Sequence, residues 1–343
     1  MKLRNIFFLH ICNNKMVLVL RLEGVFTSTI GSFPLDDTVD NRRKCIDDLI
    51  NVGIDFPAYP QLTEMNRQFL DDLLDQNVGL VFENGEYRLS DEDIREPESV
   101  PGLDILLWTI QYLKEKGIRR RVRMKAPITG PFTLASSIRR GKGIFPFNTA
   151  VSNPRLVRQI ADVVAMCCRE ASKYAEMIAI DEPILILIVG SRAIMGYKEE
   201  DIIGIFNDLR EACGERIVGT HICGRISPRL GNLLLKTDLD FLSHEFHDTP
   251  QNIEVYQPEE LKKSEKILSV GCLSSSNAHV ESVDEILDLM LRFKDYDDCI
   301  IFTPDCGFRK LSARNLSKEE AYIISIRKLK NMVEAARRFS SIG

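Results

Sequence analysis

Short β-branched runs alternate with longer amphipathic stretches along this chain, and the alternation repeats eight times. The runs 25–30, 54–59, 122–127, 177–180, 216–220, 240–243, 266–270 and 299–303 read as strands. Between them the apolar period lengthens to that of a helix. One predicted helix spans 38–52 and stops at Gly53, a residue suited to a left-handed C-terminal cap. Another, over 199–212, sets Ile202, Ile203, Phe206 and Leu209 on one face. Asn153 followed by Pro154 opens a third, and Ser282 with Glu285 and Ser317 with Glu320 form capping boxes. One interruption reads as a β-hairpin, because Asn84-Gly85 separates two short strand-like runs near 80–82 and 87–89. Eight strand–helix units predict an α/β fold, a (β/α)8 TIM barrel with a small hairpin insertion, whose functional residues gather at the C-terminal ends of its strands. A doubly wound open sheet needs a phosphate-binding glycine-rich turn after the first strand, and Gly31-Ser32-Phe33-Pro34 is not one.

The barrel is expected to occupy residues 24–343 as a single domain, with residues 1–23 an extension outside the native fold. The apolar runs 6–12 and 16–20 are broken by Asn13-Asn14-Lys15, and neither is long enough to span a bilayer. No small-residue cleavage site follows them. Synthesis is expected to begin at Met16, which leaves residues 1–15 without a role. Across the 343 residues, 44% are hydrophobic and 28% charged, an ordinary globular composition, and a net charge of -5 gives no reason to expect a nucleic-acid partner. No membrane partner is expected either. Nine cysteines lack the spacing of a disulfide framework, which predicts reduced thiols and a cytoplasmic location.

Chemistry concentrates at four positions. His221 and Cys223 in Thr-His-Ile-Cys-Gly, Glu245 in Ser-His-Glu-Phe and Cys306 in Pro-Asp-Cys-Gly-Phe each follow a strand-like run. One imidazole, two thiols and a carboxylate suit a single tetrahedral Zn²⁺. The ligands are too scattered for a zinc finger, so the metal is placed at a barrel mouth. Two thiolates and a carboxylate make such a metal a poor activator of water but a good host for a thiol, whose pKa it lowers. His244 should point away from Glu245, and His247 is read as a surface or supporting histidine. His10-Ile11-Cys12 repeats the His-x-Cys pattern without partners around it.

Six ordered motifs carry a resemblance. They are Thr-Ser-Thr-Ile-Gly-Ser-Phe-Pro near residue 30, Thr-Gly-Pro-Phe-Thr at 129–133, Ile-Asp-Glu-Pro at 180–183, His-Ile-Cys at 221–223, Glu245, and Pro-Asp-Cys-Gly at 304–307. In these the chain resembles, over residues 25–340, the C-terminal catalytic barrel of cobalamin-independent methionine synthase, within the uroporphyrinogen decarboxylase-like superfamily. The resemblance implies methyl transfer to the thiol of homocysteine, with His221, Cys223, Glu245 and Cys306 as zinc ligands. It implies homocysteine contacts from the backbone near Ile30, from Ser32 and from Asp181, with Glu245 and Asp181 serving the reaction. Asp181 suits an α-ammonium, and the Gly31-Ser32 turn offers donors to a carboxylate.

Three departures shape the expectation. The chain has no room for the extra N-terminal barrel of the two-barrel members, and so looks like single-barrel archaeal and bacterial relatives. Gln61 stands where the family has a glutamate that contacts the substrate amine. Ser274-Ser275-Ser276-Asn277 replaces a stretch carrying a histidine implicated in proton transfer, with His279 slightly beyond. A methylcobalt donor needs no leaving-group proton, whereas methyltetrahydrofolate does. The expected donor is therefore methylcobalamin or a methylated corrinoid protein, with a corrinoid protein as partner. Arg139-Arg140-Gly141-Lys142 lies on the same face. Two other readings are a methylcobamide:coenzyme M-type methyltransferase acting on another small thiol, and a metal-free decarboxylase of the uroporphyrinogen type.

Overall fold

A computed structural model describes residues 6–12, 15–190, 195–296, 299–313 and 315–342, with backbone alone over 6–12, 15–21 and 312–313. Seven parallel strands form the central sheet: β1 (Gly24–Thr27), β2 (Lys125–Thr129), β3 (Met177–Asp181), β4 (Ile217–Ile222), β5 (Phe241–Glu245), β6 (Ile267–Gly271) and β7 (Cys299–Thr303). Their order is β1-β7-β6-β5-β4-β3-β2, each neighbour in register as a parallel pair.

The expected second strand, 54–59, corrects to a segment that closes the ring without a continuous ladder. On one side Phe56 donates its N–H to Thr27 O at 3.0 Å. On the other, Lys125 donates to Pro57 O at 2.9 Å and Tyr59 to Lys125 O at 3.3 Å, so bridges Ser28–Phe56 and Ala58–Lys125 join both edges of the sheet. Pro57 and Pro60 lack the amide hydrogens a regular strand would donate. The eight-fold ring is thus complete in position, and the doubly wound alternative is set aside.

Alternation along the strands separates two cores. Met177, Ala179, Ile217, Phe241, Ile267, Cys299 and Ile301 point into the barrel with Leu22, Phe26 and Phe56. Residues of opposite parity, among them Ile178, Ile180, Val218, Ile222, Leu242, Leu268, Val270, Ile300 and Phe302, face the helices in the larger core. With a side-chain period of two, the inward rows that begin at Met177, Ile217, Phe241 and Cys299 end at Asp181, His221, Glu245 and Thr303. The apolar floor and the polar mouth are therefore two ends of the same rows.

The outer elements follow the sequence closely. A helix spans Glu199–Ala212, another Pro154–Ala171 with the Asn153 side chain accepting from Arg155 N, and Val283–Leu291 carries the Ser282–Glu285 box. The hairpin pairs Leu80–Glu83 with Glu86–Leu89. Asn84 (φ 52°) and Gly85 (φ 80°) supply the two left-handed residues its tight turn requires. Ile6–Cys12 and Lys15–Arg21 pair antiparallel as a sheet of their own, while residues 1–5, 13 and 14 of the expected extension lie outside the described residues. Among the described residues no helix is long and apolar enough to cross a membrane.

Candidate metal and thiol site

Residues from three strand ends converge at the mouth. His221 ends an inward row of β4 and is buried; Cys223 lies just past the same strand, and Cys306 three residues past β7. The Nε2 of His221 is 3.0 Å from Cys223 Sγ, which is 3.0 Å from Cys306 Sγ. One donor atom from each of the three lies within 4.8 Å of the others. Tetrahedral zinc with Zn–S bonds of about 2.3 Å holds two sulfurs roughly 3.8 Å apart, so the set fits such an ion after an opening of less than ~1 Å. Either thiol can donate to the other. The contact with Cys306 and burial hold Cys223 well above the ordinary thiol value, while hydrogen bonding from Cys223 and His221 holds Cys306 well below it.

The other nitrogen of His221, Nδ1, meets the buried Ser243 hydroxyl of β5 at 3.1 Å. That contact fixes the ring and leaves Nε2 facing the sulfurs. Glu245 ends the same strand. It is half-buried and stands outside the three-donor group: its Oε2 accepts from Thr249 Oγ1 at 3.0 Å. Burial first, and the neighbouring Cys306 second, push its carboxyl upward. His244 points outward into the helix layer, with Nδ1 3.2 Å from Ile222 O and Nε2 3.1 Å from Tyr256 Oη, and takes no part.

Asp181 ends the inward row of β3. It is buried, and its Oδ1 has no hydrogen-bond partner among the described residues. Burial pushes its carboxyl up to about 7, against the pull of His221 and Lys125. Lys125 is itself sealed inside the barrel, its Nζ donating to Thr29 O at 2.8 Å, and burial brings it down to about 8. The adjacent Glu182 faces the other way. It accepts from Phe132 N (2.9 Å), Thr133 N (2.8 Å) and Thr133 Oγ1 (2.6 Å), and so braces the turn after β2.

Ile30 and Gln61 are buried at the closing seam, and Ser32 is half-buried there. Gln61 donates its backbone N–H to Gly31 O at 3.1 Å, while its side-chain Nε2 is a second buried polar atom without a partner among the described residues. Gly31 has φ +144°, and a Cβ there would meet Gln61 Oε1 at 2.5 Å. Only glycine lets the first loop lie against the Gln61 amide.

His247 is half-buried, with Nδ1 2.8 Å from Asp248 Oδ1. His247, Asp248 and Asp305 form a second group of donor atoms within 4.8 Å of one another. Its oxygens are already engaged: Asp305 by three backbone amides, Asp248 by Ser274 and Ser276. The buried Lys328 ammonium bonds Glu281 alongside at 2.7 Å, which disfavours a cation there. His279 is exposed and turned toward Glu285 at 3.3 Å. Arg140 and Lys142 are exposed on the loop after β2. A cleft lined by Arg67, Phe82, Glu86, Arg139 and Phe145 adjoins that loop and includes none of the site residues. Sequence reasoning missed Ser243, Asn252 and Asp305. Asp305 stood in the Pro-Asp-Cys-Gly motif and Ser243 in Ser-His-Glu-Phe, whereas Asn252 had no motif to mark it.

Comparison with known proteins finds a family and relatives. The sequence profile of the family described as cobalamin-independent synthase, catalytic domain, matches residues 108–338. The chain is 32% identical over 249 residues to a methionine synthase of Methanothermobacter marburgensis, covering 72% of this chain and 73% of that one. It is 30% identical over 250 residues to a methionine synthase of Methanocaldococcus jannaschii, covering 68% and 71%. Among solved structures, it is similar in fold to a B12-independent methionine synthase from a Shewanella species in complex with selenomethionine (TM-score 0.64, 16% identity, 91% of this chain and 96% of that one). It is likewise similar to a putative vitamin-B12-independent methionine synthase from Listeria monocytogenes (TM-score 0.60, 13% identity, 93% and 98%).

Proposed function

This chain belongs to the family of cobalamin-independent synthase catalytic domains, and on that premise we propose that it is an S-methyltransferase that methylates homocysteine to methionine at one zinc ion. The observation that carries the reading is the convergence of His221 Nε2 with the Cys223 and Cys306 sulfurs. These three residues would hold the metal, with Glu245, at the edge of the group, available as a fourth ligand. Zinc bound there supplies the positive charge that keeps an incoming thiol ionised at neutral pH.

The chain's own residues supply recognition. The Asp181 oxygen without a partner among the described residues would accept a charge-assisted hydrogen bond from an α-ammonium in a buried setting. Ser32 and the backbone near Ile30 line the same mouth, where a carboxylate would sit, and Gln61 offers an amide where a second negative charge is lacking. An ammonium-bearing acceptor is favoured over coenzyme M, whose sulfonate would face the Asp181 carboxylate. A metal-free decarboxylase gives no role to two thiols brought within 3.0 Å.

For the methyl donor, the proposal remains methylcobalamin or a methylated corrinoid protein. Its support is local: 274–277 carry no imidazole, and His279 turns away to Glu285. A folate donor, which the family's name favours, leaves as an amine and needs a proton. A methionine-forming assay with the zinc-loaded protein, offering homocysteine and coenzyme M in turn with methylcobalamin and methyltetrahydrofolate, tests both points. Methionine from homocysteine is expected, with the corrinoid the faster donor. Methylated coenzyme M as the main product overturns the acceptor, and equal turnover with the folate overturns the donor.

A further inference from the structure

The three ligand-bearing loops are tied to one another by two buried polar side chains. Cys223 and Cys306 lie beyond the last residues of β4 and β7, and Glu245 is the last of β5. The ladder of the sheet holds His221 and ends at Glu245, but it stops short of Cys223 and Cys306, and other bonds hold the loops beyond it.

Asn252, buried in the short helix Pro250–Glu254, spans the first gap. Its Oδ1 accepts from Ile226 N at 2.9 Å, and its Nδ2 donates to Gly224 O at 2.9 Å and to Glu245 O at 2.8 Å. One amide thus joins the loop after Cys223 to the residue Glu245 itself.

Asp305 spans the second. Its Oδ1 accepts from Phe246 N (3.0 Å) and His247 N (3.1 Å), and its Oδ2 from Asp248 N (2.6 Å). Three consecutive amides close around one carboxylate, an arrangement that fixes both partners. Its own N–H donates to Leu273 O at 2.9 Å, which adds the loop after β6. A second observation shows that the fold makes room for it. A Cβ on Gly271 would lie 2.5 Å from Asp305 Oδ1 and 2.7 Å from Asp305 Cα.

We propose that Asn252 and Asp305 are positioning residues that pre-assemble the metal site, Asn252 setting Cys223 against Glu245 and Asp305 setting Glu245 against Cys306. The inference rests on the zinc reading above. Ligands held in place before the ion arrives bind it more tightly, because little ordering is left to do.

The test uses the full chain with Asn252→Ala, Asp305→Asn and, independently, Gly271→Ala, whose methyl would crowd both Asp305 and the His244 carbonyl. Zinc affinity is measured by competition with a chromogenic chelator. The cobalt(II)-substituted proteins are compared by their thiolate-to-cobalt absorption, and folding by thermal melts. Each variant is expected to bind zinc about 10–100-fold more weakly, with an altered cobalt band, at temperatures where it remains folded. Unchanged affinity and spectrum beside a lowered melting temperature overturn the inference and leave the two residues merely structural. So does a loss of zinc that only follows the unfolded fraction. A parent protein that takes up no zinc overturns the functional reading and this inference together.

Discussion

Cys223 and Cys306 stand 83 positions apart in sequence, yet their sulfurs lie 3.0 Å from each other. They are also the two half-buried cysteines among the eight described, the rest being buried. Hydrogen bonding from Cys223 and His221 holds the Cys306 thiol well below its ordinary value, while the contact with Cys306 and burial hold Cys223 above it. Chelation should therefore make Cys306 react with iodoacetamide within minutes and Cys223 more slowly, while Cys45, Cys167, Cys168, Cys213, Cys272 and Cys299 stay protected. Added zinc should restore protection of the pair. Peptide mass spectrometry reads the outcome, and labelling spread evenly over the cysteines would contradict it.

Ser243→Ala removes the hydroxyl that meets His221 Nδ1 at 3.1 Å. The imidazole keeps its place in the row but loses the contact that fixes its orientation. Zinc affinity should fall about 10-fold or more, and folding stability by about 1–3 kcal/mol, since the buried Nδ1 loses its partner. Chelator competition measures it.

Asp181→Asn separates recognition from stability. Loss of a charge-assisted bond to the substrate ammonium should raise KM for homocysteine about 10–100-fold, with a smaller effect on kcat. Stability moves the other way. The carboxyl titrates near 3.8 when unfolded and about 7 when folded, so between those values the folded chain holds a proton that the unfolded chain has released. Rising pH therefore weakens the zinc-free parent across that window. The variant should be the more stable of the two at pH 8, by up to ~4 kcal/mol, and the difference should vanish as pH falls below about 4. Urea melts across this range test the sign.

Gly31→Ala strains a backbone at φ +144° and drives a methyl into Gln61 Oε1 and Pro127. A loss of about 2–4 kcal/mol is expected from backbone strain and displacement of a buried amide. Guanidinium melts with an unchanged slope would confirm it.

The alternation of strand and helix was legible because each barrel strand is buried on both faces and each outer helix on one. The helix at Glu199–Ala212 and the turn at Asn84-Gly85 follow directly from pattern and backbone preference. The segment 54–61 misled for a physical reason: its apolar residues are those of a barrel strand, yet Pro57 and Pro60 deny it the ladder. At the site, His221, Cys223 and Cys306 were legible as a donor set. The separation of Glu245 toward Thr249 was not, because side-chain choice among neighbours depends on tertiary contacts. Asn252 was invisible for the same reason, since a buried asparagine acquires meaning only from the three backbone groups around it.

The central claim is that His221, Cys223 and Cys306 hold one zinc ion that receives the sulfur of the substrate. X-ray absorption at the zinc edge tests it most directly, on the purified protein with and without homocysteine. One zinc per chain with two sulfur neighbours, rising to three when homocysteine is added, is the result this account predicts. A protein without zinc, or one whose zinc keeps the same sulfur count with saturating homocysteine, would contradict it.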